Sequence, residues 1–257
     1  MSDGPLAIEF HGVSFALRDG RTLLSNLSLS VRQGETLILL GRSGSGKTTT
    51  MKLINRLIDP TSGEVRVAQK ATRDWDPIRL RRRIGYVIQE VGLFPHLTVE
   101  ENIGVVPRLE GWSPARIHRR AHDLLTMVGL DAESFAARLP RELSGGQRQR
   151  VGVARGLAAD PPVIVLDEPF GALDPITRRD LQREFKTLQR ELRKTMVFVT
   201  HDIAEAFLLG DRIALLKEGE LVLLGPPEDL LHSEHPEARA FAEGFALRQN
   251  FASGPAS

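Results

Sequence analysis

Gly41-Arg42-Ser43-Gly44-Ser45-Gly46-Lys47-Thr48 sets glycines, a lysine and a hydroxyl residue at the spacing G-x-x-x-x-G-K-[ST]. Glycines let a backbone curl around a multiply charged anion and turn its N–H groups inward. A helix starting at the end of the loop adds partial positive charge. Lys47 is placed to reach the β- and γ-phosphates of a nucleoside triphosphate, and Thr48 offers a hydroxyl to Mg²⁺. Gly41 through Thr48, with Thr49, are therefore the candidate nucleotide-binding residues. Such a loop works only between a strand and a helix. Glu35 to Leu40 is a short apolar run of strand length, and Lys47 to Arg56 can run as a helix. Met51, Leu53, Ile54 and Leu57 are its expected buried positions.

The bulk properties exclude several other chemistries. The chain has 257 residues, 41% hydrophobic and 26% charged, which is ordinary for a globular protein. A net charge of +1 provides no field for steering nucleic acid or an anionic membrane. With no cysteine there is no disulfide framework, thiolate metal site or cysteine nucleophile. Met1 to Phe10 lacks the basic and apolar segments of a signal peptide. No run approaches the roughly 20 apolar residues that span a bilayer.

Further along, strand-like and helix-like patterns alternate. Leu6 to Phe10 and Val13 to Leu17 read as two short strands around His11-Gly12, and Leu27 to Val31 alternates as a half-buried strand does. Glu64 to Val67 and Ile84 to Ile88 are further strands, the second ending at Gln89. Arg79 to Arg83 reads as a solvated helix face. Thr98-Val99-Glu100-Glu101 has the form of a capping box. Pro114 to Val128 is amphipathic, with Arg116, Arg119 and Arg120 expected on its wet side. Ser144, Gly145 and Gly146 open a helix running to Ala159, so their N–H groups form an anion site. Val163 to Leu166 is a continuous apolar run, as in a strand buried on both faces, and ends in the acidic pair Asp167-Glu168. Arg178 to Lys194 is a long helix, and Met196 to Thr200 a buried strand followed by His201. Arg212 to Lys217 and Glu220 to Leu224 flank a turn, and a helical tail follows. The pattern predicts an α/β fold with a mostly parallel sheet.

Taken in order, these motifs resemble the ATP-binding-cassette ATPases over about residues 6 to 225. The resemblance rests on the P-loop, Gln89, the signature Leu143-Ser144-Gly145-Gly146-Gln147, the strand Val163 to Glu168, the loop Ala172-Leu173-Asp174, and His201. It implies a P-loop NTPase (RecA-like) core at 1–89 and 160–225, with an N-terminal antiparallel β subdomain. It also implies an inserted α-helical signature subdomain at about 90–159 and a C-terminal tail at 226–257. In that family Asp167 and Gln89, with Thr48, serve Mg²⁺. Glu168 acts as general base on the attacking water, and His201 orients that water at the γ-phosphate. Two copies, or a copy and a close paralogue, pack head to tail. Ser144, Gly145, Gly146 and Gln147 then close on ATP held by the other copy, with Asp174 at the interface. The family's usual aromatic residue stacked on adenine is replaced at the matching slot by Leu17, while Phe15 reads as core. The expected consequence is a weaker choice of ATP over GTP.

Within the family, Ile54 to Gly63, Tyr86 to His96 and Glu101 to Pro107 are similar to the ATPase subunits of bacterial importers for glycine betaine, choline or carnitine. This resemblance implies transmembrane permease subunits, a solute-binding protein reached through the complex, and a place at the cytoplasmic face of the plasma membrane. It implies no nucleic acid partner. About thirty residues follow Leu224, fewer than the ~50 of a regulatory domain, so that mode of regulation is not expected. Two alternatives remain: an importer ATPase for another solute, such as an amino acid or nitrate, and a cassette acting on nucleic acid or the ribosome. The latter needs coiled-coil insertions or fused cassettes, and this sequence has neither.

Overall fold

The computed structural model describes residues 4–89, 92–171 and 173–253, with side chains through residue 246. Glu90, Val91, Ala172 of the aspartate loop, the first three residues and the final Gly-Pro-Ala-Ser of the tail lie outside the described residues. In chain order the elements begin with β1 (Leu6–Ala16), β2 (Thr22–Arg32), β3 (Thr36–Leu40), α1 (Lys47–Ile54), β4 (Ser62–Val67), β5 (Lys70–Ala71), α2 (Pro77–Arg82) and β6 (Ile84–Val87). A helical stretch follows: α3 (Val99–Ile103), α4 (Val105–Leu109), α5 (Pro114–Met127), α6 (Ala132–Phe135) and α7 (Gly145–Leu157). The rest are β7 (Val163–Asp167), α8 (Pro175–Leu192), β8 (Thr195–Thr200), α9 (Ile203–Leu209), β9 (Arg212–Lys217), β10 (Glu220–Gly225), α10 (Pro227–His232) and α11 (Pro236–Ser253). The fold is α/β, with a mixed, mostly parallel sheet and an antiparallel N-terminal sheet. Two compact units share the chain: residues up to Trp75 with those from Val197 onward, and Asp76–Met196. No helix among the described residues is long and apolar enough to cross a membrane.

In the first unit, β2, β1, β4 and β5 form the antiparallel sheet in that order. β2 alternates between covered and open positions, with Leu24, Leu27, Leu29 and Val31 buried. β1 is one continuous strand rather than two. Its pairing with β2 slips between Phe10 and Val13, where Gly12 takes a left-handed φ of 56°. The glycine read as a break is thus a bulge inside one strand, across which the pairing register shifts. β3 pairs parallel with β9, and β9 antiparallel with β10. Every residue of β3 is buried, which explains its unbroken apolar sequence.

The second unit holds β6 and β7 as a parallel pair, with α7 packed on β6 and on α3, α5 and α8. Between β6 and β7 the described residues are helices and loops. α3 starts from the predicted capping box: the Thr98 hydroxyl accepts from Glu101 N, and the Glu101 carboxylate accepts from Thr98 N at 2.8 Å.

Two expected surfaces differ. Leu57 is 46% exposed, because α1 stops at Ile54 and Arg56 turns left-handed (φ 48°), which takes Leu57 off the helical period. Arg120 is half-buried rather than on the wet side. Its guanidinium donates to Leu157 O (3.0 Å) and Ala158 O (3.2 Å), closing the C-terminal end of α7.

Candidate functional site

β3 delivers the chain to the phosphate loop, and α1 begins at Lys47. Gly46 precedes α1 with φ 104°, and a Cβ there would lie 2.6 Å from Leu24 Cδ2, so both the conformation and the space demand glycine. The Lys47 side chain folds back over the loop: Nζ donates to Gly41 O at 2.6 Å and Arg42 O at 2.8 Å. The Ser45 hydroxyl is buried and has no hydrogen-bond partner among the described residues. Ser43, Gly44 and Thr48 are exposed and Thr49 half-exposed, so the loop presents its glycine and hydroxyl edge to solvent. The turn between β9 and β10 braces it from behind, since Gly219 N donates to Ser45 O at 3.1 Å and Gly219 O accepts from Ser25 N at 2.9 Å. Leu17 follows β1 and is half-buried, and Phe15 is likewise half-buried rather than in the closed core. Within the same unit, exposed His201 directly follows buried β8. Asp202 then caps α9 by accepting from Ala204 N at 2.8 Å.

In the second unit, β7 carries five buried residues and ends on Asp167, which is 8% exposed. Glu168 follows with φ 42°, a left-handed conformation uncommon for a residue with a side chain. Such outliers cluster at functional sites. Gln89, just beyond β6, donates from Nε2 to Glu168 Oε2 at 3.3 Å. The parallel β6–β7 pair therefore brings together two residues that sit 79 positions apart. Burial pushes the neighbouring Tyr86 phenol up to about 12, and the negative charge of Asp167 adds to the shift.

Ser144 caps α7 with a second capping box, its N–H donating to Gln147 Oε1 at 2.9 Å and its hydroxyl accepting from Gln147 N at 3.3 Å. Ser144 and Gly145 are exposed. A Cβ on Gly146 would come within 2.9 Å of Thr177 Cγ2, so the start of α8 lies directly against it. Asp174 caps α8, accepting from Ile176 N and Thr177 N at 3.1 Å each. A hydrogen bond from the Thr177 side chain, with these backbone bonds behind it, holds its carboxyl below the usual range.

Two supporting contacts escape sequence reasoning. Arg178 donates to Phe170 O, Gly171 O and Leu173 O at 3.1, 3.2 and 2.9 Å, pinning the loop that leads to Asp174. An arginine near a helix start gives no signal of that use. Arg42 Nε donates to Glu237 Oε1 at 2.6 Å, tying the phosphate loop to α11 across 195 positions.

The donors suit the groups expected. A buried, unsatisfied hydroxyl and an ammonium resting on carbonyls sit in a glycine loop that can take phosphate oxygens. Asp167, Gln89 and Thr48 are oxygen donors of the kind a hard cation takes.

A family model described as "ABC transporter" matches residues 24–171. The osmoprotectant import ATP-binding protein OsmV of Salmonella typhimurium is 54% identical over 219 residues, 84% of this chain and 57% of that protein. The choline transport ATP-binding protein OpuBA of Bacillus subtilis is 50% identical over 93% of this chain and 61% of its own length. The glycine betaine uptake system ATP-binding protein YehX of Escherichia coli is 49% identical over 87% of this chain and 72% of its own length. This chain thus spans about three fifths of the length of the first two relatives. Among solved structures, the dimeric post-hydrolysis state of an ATP-binding cassette bound to ADP and Pi aligns with a TM-score of 0.77. It has 38% identity and covers 86% of this chain and 98% of its own. On the strength of these matches, and of a phosphate loop, acidic strand end and signature helix in their expected order, the chain belongs to the ABC transporter family.

Proposed function

We propose that this chain is the ATP-hydrolysing subunit of a bacterial importer for an osmoprotectant or quaternary amine. The observation that carries the chemistry is Glu168, held past the end of β7 in a left-handed turn with Gln89 at its carboxylate. In this reading Gly41 to Thr49 take the phosphates, with Leu17 at the base and His201 at the γ-phosphate. Gln89, Asp167 and Glu168 serve the metal and the attacking water. Thr48, Gln89 and Asp167 would hold Mg²⁺, which when bound would supply positive charge to the phosphate oxygens. Glu168 takes the proton of the attacking water, and Gln89 orients that carboxylate. Ser144, Gly145, Gly146 and Gln147 offer the N-terminus of α7 to nucleotide on a second copy, with Asp174 beside them. The subdomain limits follow the family: core at 1–89 and 160–225, helical insert at about 90–159, tail from 226.

The solute class is supported by relatives whose names specify osmoprotectants, choline and glycine betaine. The partner implied is a pair of transmembrane permease subunits, with a solute-binding protein joined through them, placing the chain at the cytoplasmic face of the membrane. A cavity of about 340 Å³ lined by Tyr86, Ile88, Gly92, Phe94, Val106 and Arg155 is the proposed seat for a permease helix. Part of its wall, at Tyr86, Ile88, Gly92, Phe94, Val105 and Val106, comes from the stretches that resemble the quaternary-amine importers.

The test is hydrolysis of Mg-ATP by Glu168→Gln. Nucleotide affinity is expected to persist while turnover falls by about 10²–10⁴-fold, the span of general base catalysis. Retained turnover would remove Glu168 as base. For the solute, the complex with its permease and binding protein is expected to hydrolyse faster with glycine betaine or choline. Stimulation by an amino acid alone would overturn that class.

A further inference from the structure

Outside the nucleotide motifs, the second unit gathers three ligating side chains between α3 and α5. His118 and His122 lie one turn apart on α5 and share a face. Their ring centroids are 4.1 Å apart. Glu100 faces them from α3. Its carboxylate lies 3.0 Å (Oε1) and 3.2 Å (Oε2) from His118 Nδ1, and 3.7 Å (Oε2) from His122 Nε2. One donor atom from each of the three falls within 4.8 Å of the others. Backbone bonds anchor the main chain that carries Glu100: α3 starts in its capping box, and Glu100 N donates to Ala136 O at 2.9 Å.

Two details single out this cluster from a surface ion pair. His122 Nε2 is shut off from solvent and has no hydrogen-bond partner among the described residues, the 3.7 Å approach to Glu100 being too long to count. On the opposite ring nitrogen, Nδ1, Glu133 Oε1 stands at 3.8 Å, longer than a hydrogen bond but one side-chain rotation from making it. A carboxylate behind a histidine is the arrangement that orients imidazole ligands toward a metal.

We propose that Glu100, His118 and His122 form a site for a divalent transition-metal ion, with Zn²⁺ as the fitting occupant and water in the remaining position. Two neutral imidazoles and one carboxylate suit zinc, whereas Mg²⁺ and Ca²⁺ take oxygen ligands. Donors around tetrahedral zinc lie about 3.3 Å apart at bond lengths near 2 Å, so small side-chain rotations close the set. The bound ion cross-links α3 to α5. It is separate from the nucleotide's Mg²⁺ in both residues and chemistry.

The test uses the full chain, stripped with chelator and free of nucleotide and Mg²⁺. Co²⁺ is titrated first, read by its visible d–d absorption, and then displaced by Zn²⁺. One saturable equivalent is expected. His118→Gln, His122→Gln and Glu100→Gln should each weaken it by at least about tenfold and change the spectrum, and Glu133→Gln by about tenfold as an outer partner. Zn²⁺ should raise the thermal midpoint of the parent and not of Glu100→Gln, a variant that keeps both histidines. No saturable binding by the folded parent would overturn the site. So would binding unchanged in these variants, since the ion would then sit elsewhere.

Discussion

Lys47 is only 5% exposed, and two loop carbonyls share its ammonium. Neutral oxygens are weaker partners for a cation than phosphate oxygens are. Lys47→Ala is expected to lower nucleotide affinity by about 10–100-fold, the equivalent of about 1.5–3 kcal/mol for a charge-assisted bond. Calorimetric titration with nucleotide checks this. Leu17 supplies no aromatic face for a base, so ATP and GTP are expected to compete with similar affinity; strong rejection of GTP would remove that reading. The placing of the phosphate loop between β3 and α1, and of Asp167 and Glu168 at the end of β7, was legible in the sequence, because the spacing is local and the flanking runs are apolar. The pairing of Gln89 with Glu168 required two strands to lie side by side, which no single stretch encodes.

Caps and clamps set stability at the level of elements. Asn102 in α3 is fully buried, and its side chain sews down the preceding loop. Its amide donates to Phe94 O, Leu97 O and Thr98 O at 3.1, 3.0 and 2.9 Å, and its oxygen accepts from Phe94 N at 2.7 Å. Asn102→Ala leaves several buried groups unpaired and is expected to cost about 2–3 kcal/mol, read from urea unfolding. From sequence, Asn102 is one polar letter in a helical stretch; only the folded loop reveals its four bonds. Asp174 and Glu101 cap α8 and α3, and hydrogen bonds hold both carboxyls below their ordinary values, those from Thr177 and Thr98 leading. A depressed folded value means the contribution is present above the unfolded value and is lost as pH falls through the folded one. Asp174→Asn with Glu101→Gln keeps capping side chains but removes the charges. Its stability is expected to fall less steeply than the parent's between about pH 5 and about pH 2, measured by denaturant midpoint across pH. The element types were largely legible, since β3, β7 and β8 read as unbroken apolar runs and are buried along their whole length. Leu57 and Arg120 were misread for physical reasons: a left-handed turn ended one helix early, and a charged head found carbonyls to bind.

For the whole molecule, the exposed start of α7 and the cap at Asp174 offer a surface that the proposed second copy would cover. Glu168→Gln is expected to pass from monomer to dimer on size-exclusion chromatography when Mg-ATP is added. A monomer in both conditions, with the permease also unable to recruit a second copy, would sink the shared-site reading. The contact between Arg42 and Glu237 could not have been anticipated, because Arg42 fills an unspecified position of the phosphate-loop motif and Glu237 lies 195 positions away in a tail without a motif. Glu237 is 8% exposed, and α11 also reaches α9 through stacked Phe207 and Phe245, with ring centroids 4.7 Å apart. The last helix is thereby mechanically wired to the loop proposed to hold phosphate. Because the chain has no cysteine, a thiol introduced by Glu243→Cys on exposed α11 is a unique attachment point for a dye. Its fluorescence turns the helix into a built-in gauge of nucleotide occupancy, and Glu237→Ala cuts the wire.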